Sequence, residues 1–170
     1  MIPTLETERL IMRPPGPQDF AAYRDFLASD RSKTVGGPYD EQQAWFKLAA
    51  IIGHWTMRGY GRWTLDAKDG ETSLGFVGVL HSHDWPEPEI GWTVFEGAEG
   101  KGYAHEAAIA AQDYVYNTLG WDRIVSLIDA TNTRSLALAN RLGAQHEYDF
   151  NHPNFGTLGV YVHPAPEAVQ

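Results

Sequence analysis

Thr93-Val94-Phe95-Glu96-Gly97-Ala98-Glu99-Gly100-Lys101-Gly102-Tyr103-Ala104-His105-Glu106-Ala107-Ala108 is the stretch on which the fold turns. It reads as an apolar strand, a glycine-bearing turn and an alanine-rich helix. Ala104, Ala107, Ala108, Ala111 and Val115 recur at helical spacing, so one face of that helix is small and can lie close to a sheet. A strand-to-helix turn gathers free backbone N–H groups and the positive end of the helix dipole at one point. Phosphate is the usual biological anion at such a point. Gly100 and Gly102 carry no Cβ and permit close approach of a ligand to the backbone. The dinucleotide fingerprint needs a further glycine where His105 stands, and a P-loop needs Gly-Lys-Ser/Thr where Gly100-Lys101-Gly102 stands. On the turn alone, an ordinary ligand-free connection is the alternative.

Reading outward, Leu5–Pro14 is an edge strand stopped by Pro14 and Pro15. Pro17 suits a first helical turn, and Phe20, Tyr23 and Leu27 share a face. Asp40 with Gln43 predicts a capped second helix carrying Trp45, Leu48, Ala49, Ile52 and Trp55 as its apolar stripe, with Trp45 packed in the core. Strands follow over Arg62–Asp66, Leu74–Leu80 and Glu89–Phe95, joined by an Asp69-Gly70 turn and the polar connection His81–Pro88. The helix after the opening turn runs to about Leu119, where Gly120 ends it. Arg123–Asp129 is a further strand. Asn132 caps a short helix closed by Gly143, and His146–Phe150 and Leu158–His163 close the chain before a frayed tail over Pro164–Gln170. A strand, helix, strand unit of this kind sets the strands Glu89–Phe95 and Arg123–Asp129 parallel.

The 170 residues suffice for one domain with a real core, and 43% apolar with 21% charged content is that of a globular chain. No apolar run spans a membrane, and the N-terminus lacks a basic-then-apolar leader pattern. Cysteine is absent, which removes disulfides and cysteine-ligated metal and fits a cytoplasmic setting. The net charge of −9 offers no basic surface for nucleic acid. His81-x-His83-Asp84 lacks further ligands at recognisable spacing, so it reads as solvated loop rather than metal site.

Glu99-Gly100-Lys101-Gly102-Tyr103-Ala104 resembles the pyrophosphate loop of the GNAT N-acetyltransferases, Gln/Arg-x-x-Gly-x-Gly/Ala. Gly102 and Ala104 fill the two small positions, while Glu99 stands where Gln or Arg is usual. A negative charge there opposes a diphosphate, and Lys101 is expected to offset it. Thr7-Glu8-Arg9-Leu10 with Arg13 resembles the opening of the Rim-type branch, named for ribosomal-protein N-terminal acetyltransferases. Asn132-Thr133-Arg134-Ser135 with Arg141-Leu142-Gly143 resembles the element beside the coenzyme A arm.

The resemblance spans nearly the whole chain. It implies one α/β domain over residues 1–170, with a mixed, mostly antiparallel sheet of six to seven strands, a splayed central parallel pair and about four helices. It implies acetyl transfer from acetyl-CoA to a primary amine, either a small molecule or a protein N-terminus, by direct attack in a ternary complex. A homodimer is compatible with it, and neither metal, membrane nor nucleic acid is implied. Thr93 and Val94 would offer backbone groups to the pantetheine arm. Gly100, Lys101, Gly102, Tyr103 and Ala104 would cradle the diphosphate, with Asn132 and Ser135 as further contacts. An amine near lysine's pKa of about 10.4 needs a base. Glu89 is the first choice for it, with His81, His83 and Asp84 as alternatives. Ser135 is the candidate donor to the departing thiolate, because Ala139 stands where many relatives carry a tyrosine. Glu99 and Ala139 keep open a non-catalytic acyl-CoA-binding module on the same fold.

Overall fold

The computed structural model describes residues 1–165. The strands are β1 (Leu5–Glu6), β2 (Leu10–Arg13), β3 (Arg62–Ala67), β4 (Gly75–Leu80), β5 (Glu89–Val94), β6 (Val125–Asp129), β7 (Gln145–His152) and β8 (Gly156–Val162). The α-helices are α1 (Phe20–Ala28), α2 (Glu41–Arg58), α3 (Tyr103–Asp113) and α4 (Thr133–Arg141). The strands form one eight-stranded sheet in the order β1-β2-β3-β4-β5-β6-β8-β7. Every neighbouring pair is antiparallel except β5 and β6.

The strand count exceeds the expected six to seven because Leu5–Pro14 is not one strand. The Thr7 hydroxyl accepts from the Leu10 N–H at 3.0 Å, and the Thr7 N–H donates to the Leu10 carbonyl at 3.0 Å. That local closure folds Leu5 and Glu6 back onto Met12 and Ile11 as a hairpin. The tail expected to fray from Pro164 lies outside the described residues from position 166 onward.

Along β4, Phe76 packs with α1 and α2 residues, whereas Val77 and Val79 pack with α3. This is the two-residue alternation of a strand covered on both faces. On the α3 side Ala107, Ala108, Ala111 and Val115 are fully buried. On the other side Tyr23, Phe26 and Leu27 meet Ala44, Leu48 and Ile51. The buried stripe of α2 is therefore Ala44, Leu48, Ile51 and Trp55 rather than the one expected from Trp45. Trp45 lies one residue off the stripe, is 50% exposed, and packs only edge-on against Phe20 at 5.2 Å. Asp40 caps α2 as expected, accepting from the Gln43 N–H at 2.8 Å, and Gly59 ends it at φ 77°. Helix α3 gives way to a π turn over Tyr114–Thr118 before Gly120.

Arg13 is scaffold. It pairs with the fully buried Asp19 at 2.7 Å and with Asp66 at 2.6 Å. Burial alone would raise the Asp19 carboxyl, yet hydrogen bonds from Arg13, Ser73, the Gly16 N–H and Thr64 hold it below its ordinary value. This network fixes the start of α1 against β2 and β3.

The parallel pair β5–β6 is in register at one position only, Glu89 opposite Val125. Just beyond, side chains replace the ladder. The Ser126 hydroxyl donates to the Ile90 carbonyl at 2.6 Å and lies 2.8 Å from His163 Nε2, while Gln112 Nε2 lies 2.6 Å from His163 Nδ1. A neutral imidazole protonated at Nε2 satisfies both contacts. Burial presses His163 down to about 4. The unfolded chain takes up this proton near pH 6.5 and the folded chain near 4. The stability from neutral His163 is therefore complete above 6.5 and lost as pH falls through that window. We expect urea unfolding of the wild type to lose on the order of 3 kcal/mol between pH 6.5 and 4 through this residue. His163→Gln should lack that part of the slope, and an identical pH dependence in the two proteins would refute the assignment.

Candidate functional site

The strand–turn–helix stretch folds as its pattern implies. Gly97, Gly100 and Gly102 adopt φ of 85°, 71° and 81°, a region that side chains rarely enter. Gly102 is the residue before α3. The first helical backbone bond runs from the Glu106 N–H to the Gly102 carbonyl at 3.1 Å. Among the described residues, no acceptor meets the backbone N–H groups of Gly100, Lys101, Gly102, Tyr103 and Ala104. They lie together at the positive end of α3. A Cβ at Gly100 would meet nothing within 4 Å, so the approach is open.

Arg9, left without a role by its spacing, holds this loop. Its guanidinium donates to the Lys101 carbonyl at 2.8 Å and to Glu106 at 2.7 Å. Glu106 also accepts from the Arg9 N–H at 2.8 Å and the Thr7 hydroxyl at 2.6 Å. The N-terminal hairpin is thereby pinned to the first turn of α3. Lys101 does not offset Glu99, contrary to expectation. It pairs with Glu71 at 3.1 Å, and Glu99 is instead held by Arg31 and by Arg134 at 2.7 Å. Two guanidinium groups around one carboxylate leave this corner net positive.

Thr93 and Val94 part company. The Phe95 N–H donates to the Leu74 carbonyl at 2.8 Å, and Ile90 receives Ser126 from the β6 side. By strand alternation, Thr93 therefore turns its backbone groups to β4, while Trp92 and Val94 turn theirs toward β6. The Val94 carbonyl accepts from Arg31 at 2.8 Å.

A cavity of about 830 Å³ opens where β5 and β6 diverge. Arg62, Glu89, Gly91 and Thr93 reach it from the α1/α2 face, and Ile90, Trp92 and Ser135 reach it from the α3/α4 face, so it passes through the sheet. Asn132, His81, His83 and Asp84 also line it, whereas Val94 and residues 100–104 do not.

Glu89 is not a solvated strand end. It is 7% exposed, and its Oε2 accepts from the Leu127 N–H at 3.0 Å. Burial raises its carboxyl above the ordinary glutamate value, against the opposing pull of Arg62, whose Nη2 lies 3.9 Å from Oε1. Ser135 accepts from the Trp92 indole N–H at 3.2 Å, and Asn132 caps α4 by accepting from the Ser135 N–H at 3.2 Å. Of the alternatives to Glu89, Asp84 is bound to His152 at 2.8 Å. The His81 backbone N–H donates to His54 at 3.0 Å. Ala139 is buried against Ile128 and Ala144. Arg62 was missed in the sequence, where it looked like the first residue of an ordinary strand.

The profile described as Acetyltransferase (GNAT) domain matches residues 9–145. An acetyltransferase from Agrobacterium tumefaciens of known structure is 40% identical, with TM-score 0.88, covering 96% of this chain and 95% of that one. The Bacillus subtilis protein named Uncharacterized N-acetyltransferase YoaA is 26% identical over 86% of this chain and 85% of its own length. Bacillus subtilis YkkB is 31% identical over 100 residues, and the match spans only 58% of that protein.

Glu106→Gln removes a charge that answers Arg9 and Thr7 together. We expect it to cost about 2 kcal/mol in urea unfolding at pH 7. Amide exchange should accelerate at residues 100–104, and unchanged exchange there would show that the hairpin does not hold the loop.

Proposed function

The chain belongs to the GNAT acetyltransferase family, and from that premise we propose that it moves an acetyl group from acetyl-CoA to a primary amine by direct attack in a ternary complex. The observation that carries this reading is the cavity through the splayed strands, because it draws Glu89 and Ser135 from opposite faces of the sheet into one space.

In this reading the diphosphate rests on the N–H groups of Gly100, Lys101, Gly102, Tyr103 and Ala104 at the start of α3. The net-positive corner of Arg31, Arg134 and Glu99 compensates for the acid in the loop. The amide-rich arm lies in the gap, where Trp92 and Val94 turn their backbone groups. Arg31 gives up the Val94 carbonyl when the arm pairs there. Asn132 and Ser135 border the arm from α4.

The amine nitrogen attacks the thioester carbonyl, and its proton passes to Glu89, directly or through one water. Oε2 is held by Leu127, so Oε1, with Arg62 Nη2 at 3.9 Å and no hydrogen bond among the described residues, is the atom that takes the proton. A carboxyl raised by burial is a better proton acceptor than an exposed glutamate. The carbon–sulfur bond then breaks and the thiolate takes a proton. Ser135 accepts from Trp92, which leaves its own O–H free to donate. Both groups lining one cavity favour turnover over a module that only binds acyl-CoA.

The likeness to the Rim-type branch rests on Thr7, Arg9 and Arg13, whose side chains serve the hairpin, the loop and α1. It therefore carries little weight for the acceptor. A cytoplasmic setting accords with the lack of cysteine, and no described helix is long and apolar enough to cross a membrane.

Calorimetric titration with coenzyme A should saturate, and thiol release should follow when acetyl-CoA meets an accepted amine. Glu89→Gln should lower kcat by about 100-fold or more at pH 7 with little change in coenzyme A affinity. The wild-type rate should fall with acidification through a pKa above that of an ordinary glutamate, as the base is protonated. A wild-type rate in the variant would remove Glu89 from the role.

A further inference from the structure

We propose that Arg62 is the anion anchor of the acceptor, so that the substrate is an amine bearing a carboxylate, held with its carboxylate on the Arg62 guanidinium and its amine facing Glu89. This rests on the transferase reading above and names the substrate class of the same site.

Arg62 is laid into the cavity by the backbone. It opens β3 opposite Gly78, and Gly78 lies opposite Gly91 on β5, so the three stand in one row across the sheet. A Cβ at Gly78 would lie 2.5 Å from the Gly61 carbonyl, which shows how closely β3 approaches there. A Cβ at Gly91 would lie 2.3 Å from Arg62 Nη2 and 3.1 Å from Cζ. The tip of the guanidinium therefore occupies the space that a side chain at Gly91 would take. The Arg62 side chain is 15% exposed and lines the cavity.

No donor of this guanidinium makes a hydrogen bond among the described residues; Nε is buried and unpartnered, and the nearest carboxylate oxygen, on Glu89, is 3.9 Å away. Such a group is a cation kept for something that is not protein. A guanidinium is matched to a carboxylate in shape as well as charge.

The charge pattern of the cavity points the same way. Lys47 and Arg58 also line it, and neither has a carboxylate partner among the described residues; Lys47 lies 4.0 Å from the Tyr39 ring centre. Every other lysine and arginine except Arg141 lies within 4 Å of a described carboxylate. The cavity acids are engaged instead: Asp84 with His152, Asp129 with Thr131, and one oxygen of Glu89 with Leu127. Of the three cations with no described carboxylate within 4 Å, Lys47 and Arg58 border this space, beside an Arg62 whose one carboxylate neighbour stands off at 3.9 Å. A polyamine would meet three positive groups there. A simple alkylamine would leave Arg62 unanswered, whereas an amino acid answers both charges.

The test uses the full chain with acetyl-CoA, reading thiol release for L-leucine and L-phenylalanine against isoamylamine and phenethylamine, which lack only the carboxylate, and against spermidine and a C-terminally amidated peptide. We expect kcat/KM for the amino acids to exceed that of their decarboxylated partners by roughly tenfold or more. Arg62→Gln should raise KM for the amino acids by a similar factor beyond any change in kcat that it causes for all amines alike through Glu89. Gly91→Ala, which displaces the guanidinium without removing its charge, should give the same selective loss in smaller measure. Equal or better use of the plain amines, spermidine or the peptide overturns the proposal. So does an Arg62→Gln loss equal for all amines, as expected if Arg62 only tunes Glu89, or a coenzyme A-saturable protein that acetylates neither amino acid. Failure to bind coenzyme A in calorimetry overturns the transferase reading itself.

Discussion

Two adjacent parallel strands that touch at one residue are the constraint on which this molecule depends. Parallel strands ordinarily exchange bonds along their length, and backbone groups left unpaired inside a protein are costly. Here β5 and β6 meet at Glu89 and Val125 and then part. The exposed backbone is met by side chains: Glu89 takes the Leu127 N–H, Ser126 serves the Ile90 carbonyl, and Arg31 reaches the Val94 carbonyl. The His163–Gln112 pair behind Ser126 fixes that hydroxyl in turn. The separation is thus held open by bonds specific to its shape.

The chemistry inherits its geometry from that opening. A sheet covered on both faces normally isolates the groups on one face from those on the other. The gap removes the barrier, so the Glu89 carboxyl from the α1/α2 face and the Ser135 hydroxyl from the α3/α4 face border one cavity. The same strand ends at the glycine turn, where five backbone N–H groups have no acceptor among the described residues.

What could be read in the sequence was local. The glycine turn, the alanine face of α3, the Asp40 and Asn132 caps and the order of most elements follow from neighbours a few residues apart. What could not be read depends on partners far along the chain. Trp45 fell outside the core because α1 meets the small face at Ala44. The split of the first strand turned on one hydroxyl of Thr7. Lys101 and Glu99, two residues apart, pair with Glu71 and with Arg31 and Arg134 from other elements. Arg62 becomes notable only when Gly91, on another strand, proves to be the floor beneath it.

The acid in the glycine turn before α3 shows how a departure from the family's loop pattern is tolerated. A carboxylate beside a diphosphate is repelled in proportion to its free charge, and a charge already shared between two guanidinium groups is not free. Arg134 comes from the cap region of α4 and Arg31 from the turn after α1, so Glu99 ties both walls of the gap to the strand that leads into the loop. A glutamine at this position could not hold both cations as firmly, and an arginine would repel them. Once those two arginines are present, the acid is the residue that fits, and the departure from the family pattern becomes a consequence of its neighbours.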